Sequence, residues 1–143
     1  MVTLWVGGLW IVGYVVVPAL FAELPAQRML AGALAGSVFS RMAWVGLACA
    51  VYLLVNELAR HRASLLRSRA FWVVVAMSLL NLAGHFGLQP VLSDLKAQAH
   101  PLEIMLSPLR DQFALWHGVS SVLYLVQSLL GVGLVMLRPW SPR

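Results

Sequence analysis

Charge is what this chain has least of. Asp and Glu number 5 and Lys and Arg 10 among 143 residues, so 10% of the chain is charged against 61% hydrophobic. A water-soluble domain carries about 25% charged residues, so most of the surface formed by this chain is not built for water. Cysteine is nearly absent too. The single Cys49 stands in an apolar run, which excludes a disulfide framework or a cysteine metal site within one chain and reads as a small buried hydrophobe. No phosphate-binding loop and no zinc-ligand spacing occurs. The one Ser–His pair on a helix, His117 and Ser120, lacks an orienting acid at its own depth. These absences point away from an enzyme. The net charge of +5 does not point to nucleic acid, because the basic residues stand between long apolar runs, where they serve as membrane flank charges.

The apolar runs set the architecture. Residues 2–21, 70–93 and 112–137 contain no Asp, Glu, Lys or Arg, and about 20 helical residues cross a hydrocarbon core. The stretch between Glu23 and Glu57 would make a single helix about 50 Å long, too long for a perpendicular span. It divides into an interfacial or projecting helix over 25–40, with Pro25 in its first turn, and a second span over 40–58 with Arg41 near its end. The join is either a bend or a steep tilt. The fold class is therefore an all-α integral membrane protein, a four-transmembrane-helix bundle in one domain, 1–143, with spans at about 2–22, 40–58, 70–92 and 113–137. A basic connector fills 61–69, a loop with a short amphipathic helix is expected over 94–111, and Pro139 ends the last helix. No basic segment precedes the first run and no small-residue cleavage site follows it, so it reads as a retained span rather than a signal peptide.

Four spans put the N-terminus, the 60–69 connector and the C-terminus on one side. That side holds Arg60, Arg62, Arg67, Arg69, Arg138 and Arg143; the other holds Arg28, Arg41, Lys96 and Arg110. Six basic residues against four give cytoplasmic termini, as in a bacterial inner membrane. Trp5, Trp72 and Trp140 near one face, with Trp44 and Trp116 near the other, read as an interfacial belt.

In lipid, helices associate by close packing at small residues and by hydrogen bonds. Gly32-x-x-x-Gly36, beside Ala31 and Ala35, is a candidate helix-packing stripe. Three polar stripes stand out. Ser78, Asn81, His85 and Gln89 share one face of the third helix, and His117, Ser120, Ser121, Tyr124, Gln127 and Ser128 share one face of the fourth. Arg41, Tyr52 and Asn56 form a weaker stripe on the second. Polar groups in hydrocarbon must be satisfied internally, so the stripes are expected to face one another. His85 and His117 fall at similar depth, where they could bridge helices, ligate a haem iron or metal ion, or belong to a polar pathway. The functional candidates are His117, Ser120, His85, Asn81, Tyr124 and Arg41.

Several motifs occur together in order. Trp5-x-Gly7-Gly8 followed by Pro18-x-Leu20-Phe21, then Ala31-Gly32-x-x-Ala35-Gly36-x-x-Phe39, Gln89-Pro90 and Phe113-x-x-x-His117-Gly118-x-Ser120 resemble the four helices of the membrane family known as domain of unknown function 4149, which includes vertebrate transmembrane protein 205. The resemblance implies a four-helix membrane protein with no assigned reaction. It places His117 and Ser120 within the family's pattern, and His85 outside it. The expectation is a non-enzymatic interaction or assembly component, with the lipid bilayer and a second copy or another membrane protein as partners. The alternatives are a haem- or metal-binding protein using His85 and His117, and a small-solute or proton pathway formed by an oligomer.

Overall fold

A computed structural model describes residues 1–60, 65–98 and 108–137. Among them stand four helices long and apolar enough to cross a membrane: α1, Val2–Glu23; α2, Arg28–Arg60; α3, Arg69–Gln98; and α4, Arg110–Leu137. The protein is an all-α membrane bundle. Each helix packs on its sequence neighbours and α4 closes back on α1, the up-and-down arrangement that short connections dictate. α1 and α3 therefore run parallel.

Local chemistry sets the helix ends. Leu24, at φ −119° and ψ 53°, leaves helical geometry directly before Pro25, because a proline disfavours helix in the residue before it. A tight turn follows, closed by the Gln27 N–H donating to the Leu24 carbonyl, and α2 opens at Arg28. Ser68 caps α3 by accepting from the Phe71 N–H at 3.3 Å, the usual service of a serine side chain at a helix start.

Two boundaries differ from the sequence expectation. α2 is unbroken over 33 residues, so 28–40 runs on in the same rod as the second span, which removes the separate interfacial helix and keeps the projecting, tilted alternative. No proline stands between Arg28 and Arg60, and at about 1.5 Å per residue the extra length extends the rod. α3 likewise continues through Asp94 to Gln98, where a loop was expected. Residues 99–107 and the tryptophan at 140 lie outside the described set.

Both α1 and α3 contain a widened π-turn, at Val12–Val16 and at Ala83–Leu88. Each is followed two residues later by a proline, Pro18 or Pro90. A proline ring inside a helix collides with the carbonyl four residues earlier. Those carbonyls belong to Tyr14 and Phe86, and both lie within the widened turns. The π-turn is how each helix carries its proline without breaking.

The bundle is packed at its Met1 end. Trp5, Leu53, Val74, Met77 and Leu134 are fully buried there, with Val6, Leu9, Cys49 and Ala50 around them. Close approach falls at four glycines, the first of them Gly8, where an added Cβ would meet the Met42 Sδ at 2.8 Å. A Cβ on Gly46 would meet the Trp5 Nε1 at 2.6 Å and the Asn81 Nδ2 at 2.9 Å; one on Gly131 would meet Val6 at 3.2 Å and Met77 at 3.5 Å; one on Gly13 would stand inside the Tyr124 ring. Trp5 is thus core, not interfacial belt. Trp72 is exposed, with its Nε1 donating to the Leu66 carbonyl at 3.0 Å. Of the stripe, a Cβ on Gly36 would touch nothing within 4 Å, while at Gly32 α3 reaches α2 through the Lys96 ammonium, 3.7 Å from an added Cβ. Their neighbours Ala31 and Ala35 are the buried pair.

A second, smaller set of buried residues lies toward the Glu23 end of the bundle: Ala31 and Ala35 on α2, Leu95 on α3 and Phe113 on α4. Lys96 ties this layer together. Its ammonium donates to the Gly32 carbonyl at 3.3 Å and lies 5.8 Å from the Phe113 ring centre, a cation–π contact. Between the two packed layers the helices do not close.

Candidate functional site

The space between the layers is a cavity of about 460 Å³, within the usual range for small-molecule sites. All four helices contribute. The α1 π-turn supplies Gly13 and Tyr14, α2 supplies Phe39 and Ala43, and the α3 π-turn supplies Gly84, His85 and Leu88. The polar stripes of α3 and α4 meet here: Asn81, His85 and Gln89 stand across from His117, Ser120, Ser121, Tyr124 and Gln127, all on the cavity wall. Tyr14, His117, Ser121 and Leu125 line the cavity and are also exposed. They place its opening between α1 and α4, toward lipid.

Two polar side chains on the wall act as struts. The Asn81 Nδ2 donates to the Ala43 carbonyl at 2.9 Å and joins α3 to α2. The Tyr124 hydroxyl donates to the Leu9 carbonyl at 2.6 Å and joins α4 to α1. The Tyr124 ring also gathers an aromatic wall, with Phe39 at 5.2 Å edge-on and Tyr14 at 6.2 Å, in the tilted geometries that ring quadrupoles favour.

Other polar groups on the wall are unsatisfied. The Gln127 side chain is 5% exposed, and its Nε2 is buried without a hydrogen-bond partner. The Nδ1 of His85 is buried and unpartnered as well, its ring held edge-on by Trp44 at 5.4 Å and Phe86 at 4.7 Å. Leaving such a group unpaired costs about 1–3 kcal/mol even in a soluble protein.

The sequence candidates divide accordingly. His85, Asn81, His117, Ser120 and Tyr124 come together on one wall; Arg41 does not, being exposed on α2 and absent from the lining. The α2 stripe to which it was assigned does not turn inward. Tyr52 is exposed, and the Asn56 amide donates to the Tyr52 carbonyl one turn back in the same helix. Ser78 and Ser128 are likewise spent on local bonds, to the Val74 and Tyr124 carbonyls. His117 stacks flat on Phe113 of its own helix, 5.7 Å between ring centres and 10° between planes, so the described contacts give it no helix-bridging role. For a metal, the cavity offers two imidazoles; among the described residues no group of three or more His, Cys, Asp or Glu side chains converges.

The sequence marked Gln127 only as one member of the α4 polar stripe and gave no functional weight to Tyr14 or Phe39. A usable signal was present in the first and third runs. Each is interrupted by glycine and then proline, Gly13 with Pro18 and Gly84 with Pro90, and interruptions at corresponding places in two halves of a membrane protein mark a binding site.

Residues 1–101 match the family described as Domain of unknown function (DUF4149). The match spans α1, α2 and α3 and stops before the Phe113–Ser120 motif of α4. No curated protein and no solved structure matches the chain.

Proposed function

The chain belongs to the DUF4149 family of membrane proteins, and we propose that it is a binding protein rather than an enzyme, holding a small molecule in the cavity between its helices. The observation that carries this reading is the unpaired Gln127 amide, nine-tenths buried and lining a cavity of about 460 Å³. A ligand that satisfies it turns a destabilising group into an attractive one. The polar side chains of the lining bond to backbone carbonyls rather than to one another, and no nucleophile–base pair is described among them, which is why binding is preferred to catalysis.

Occupancy is tested with N-phenyl-naphthylamine, an uncharged apolar dye, titrated into the protein in nanodiscs with empty nanodiscs as background. The reading expects a saturable component that Gly84→Leu removes. Gly84 lines the cavity and an added Cβ there meets nothing within 4 Å, so the variant fills the space without forcing the fold. Dye uptake equal to that of empty discs, or untouched by Gly84→Leu, would overturn it.

A haem or metal ion held by His85 and His117 is the second reading, favoured by the shared wall and by the unpartnered His85 Nδ1. A Soret band in the purified protein that His85→Phe removes would establish it. Assembly with a second copy or another membrane protein would use the lipid-facing apolar surfaces, which lipid covers equally well. We place both termini on the cytoplasmic side of a bacterial inner membrane, on the six-to-four basic bias.

A further inference from the structure

Resting on the binding reading above, the geometry points to a ligand class: we infer that the cavity takes an uncharged, lipid-soluble ring compound carrying carbonyl oxygen, with one oxygen received by the Gln127 amide at the cavity floor.

The absence of charge comes first. Every Asp, Glu, Lys and Arg is missing from the lining. A bare ion in a low-dielectric site is best held by a fixed counter-charge, and this wall carries none. Inorganic ions and carboxylates are therefore poor occupants. The opening faces lipid between α1 and α4, which suits a molecule that arrives dissolved in the bilayer.

The polar atoms define what the ligand must show. An amide nitrogen only donates, so the Gln127 Nε2 calls for an acceptor, and an oxygen on an otherwise apolar body is the economical answer. The Asn81 Nδ2 does not compete for it, being engaged with the Ala43 carbonyl. The level of Gln127 follows from the packing. Gly131 faces Met77 across the α3–α4 seam, and these helices are antiparallel, so Gln127 and Asn81, four residues on from each, stand level with one another. His85 is one turn farther along α3, about 6 Å by helical rise, and its imidazole can donate or accept according to tautomer. A second oxygen on the ring would find the His85 imidazole on the same wall. Tyr14, Phe39 and Tyr124 supply the apolar wall beside that ring.

The test displaces the naphthylamine dye with three molecules of similar shape. Duroquinone is uncharged with two ring oxygens, hexamethylbenzene is the hydrocarbon, and pentamethylbenzoate is the anion. Each is corrected for its partition into empty nanodiscs. Duroquinone should displace the dye roughly three- to ten-fold more effectively than hexamethylbenzene, the effect of one buried neutral hydrogen bond, and the benzoate should be weaker still. Gln127→Met should bring duroquinone and hexamethylbenzene together. Because each comparison is a ratio within one variant, a change in the variant's stability leaves it readable. If hexamethylbenzene or the benzoate matches duroquinone in the parent, or if the preference survives Gln127→Met, the ligand class is wrong while the cavity stands. If the dye itself shows no saturable binding, the cavity reading falls and this inference with it.

Discussion

The Tyr124 ring occupies the space beside Gly13 where a side chain would otherwise stand: a Cβ built on Gly13 would lie 2.9 Å from the ring's Cζ, while the Tyr124 hydroxyl donates to the Leu9 carbonyl one turn away. The widened turn of α1 and the principal strut of α4 are one device. Glycine is required at 13 because the ring must reach across it.

Gly13→Ala should therefore lower the thermal midpoint in detergent, at a cost of about 1–3 kcal/mol from overpacking against a rigid ring. Gly46→Ala should do the same, against Trp5 and Asn81. Gly36→Ala should leave stability unchanged or raise it, since helix propensity favours alanine by up to about 1 kcal/mol and the added atom meets nothing. A larger loss at Gly36 than at Gly13 would show that the stripe on α2 packs against a second molecule.

Replacing Gln127 by methionine should stabilise the unliganded protein. The amide loses an unpaired buried donor, worth about 1 kcal/mol or more, and methionine fills a similar volume. Thermal unfolding of parent and variant decides it. A destabilised Gln127→Met would mean that the amide already has its partner in the bundle.

His117→Gln and His117→Leu should be equally stable, each within about 0.5 kcal/mol of the parent, as for surface changes that break no bond. The imidazole's described contact is the stack on Phe113 in its own helix. A marked loss for leucine alone would reveal a hydrogen bond between helices.

Orientation is accessible by cysteine labelling in a Cys49→Ala background. In intact cells an impermeant maleimide should modify Gln98→Cys and spare Leu66→Cys; both positions are exposed. Modification of Leu66→Cys from outside would invert the topology.

How much of this was legible in the residues depends on what made each feature. The spans were, because hydropathy and length are additive along the chain. The meeting of the α3 and α4 stripes was legible too, since Asn81, His85 and Gln89 had to find polar company. The burial of Trp5 was not: it depends on Gly46 of another helix, and hydropathy alone makes any tryptophan near a span end an interfacial residue. The unbroken α2 was hidden by a rule about perpendicular spans that a long rod need not obey. The unpaired state of Gln127 is a three-dimensional fact with no sequence signature.

The two π-turns carry a consequence for the origin of the cavity itself. A π-turn holds one residue more than an α-turn, so everything beyond it is stepped by about 100° and 1.5 Å relative to an uninterrupted helix. α1 and α3 run parallel, and each takes this step where the cavity begins. The Met1 end interlocks in one phase and the Glu23 end in another. The hollow lies at the seam between two registers, much as a dislocation leaves free volume in a crystal.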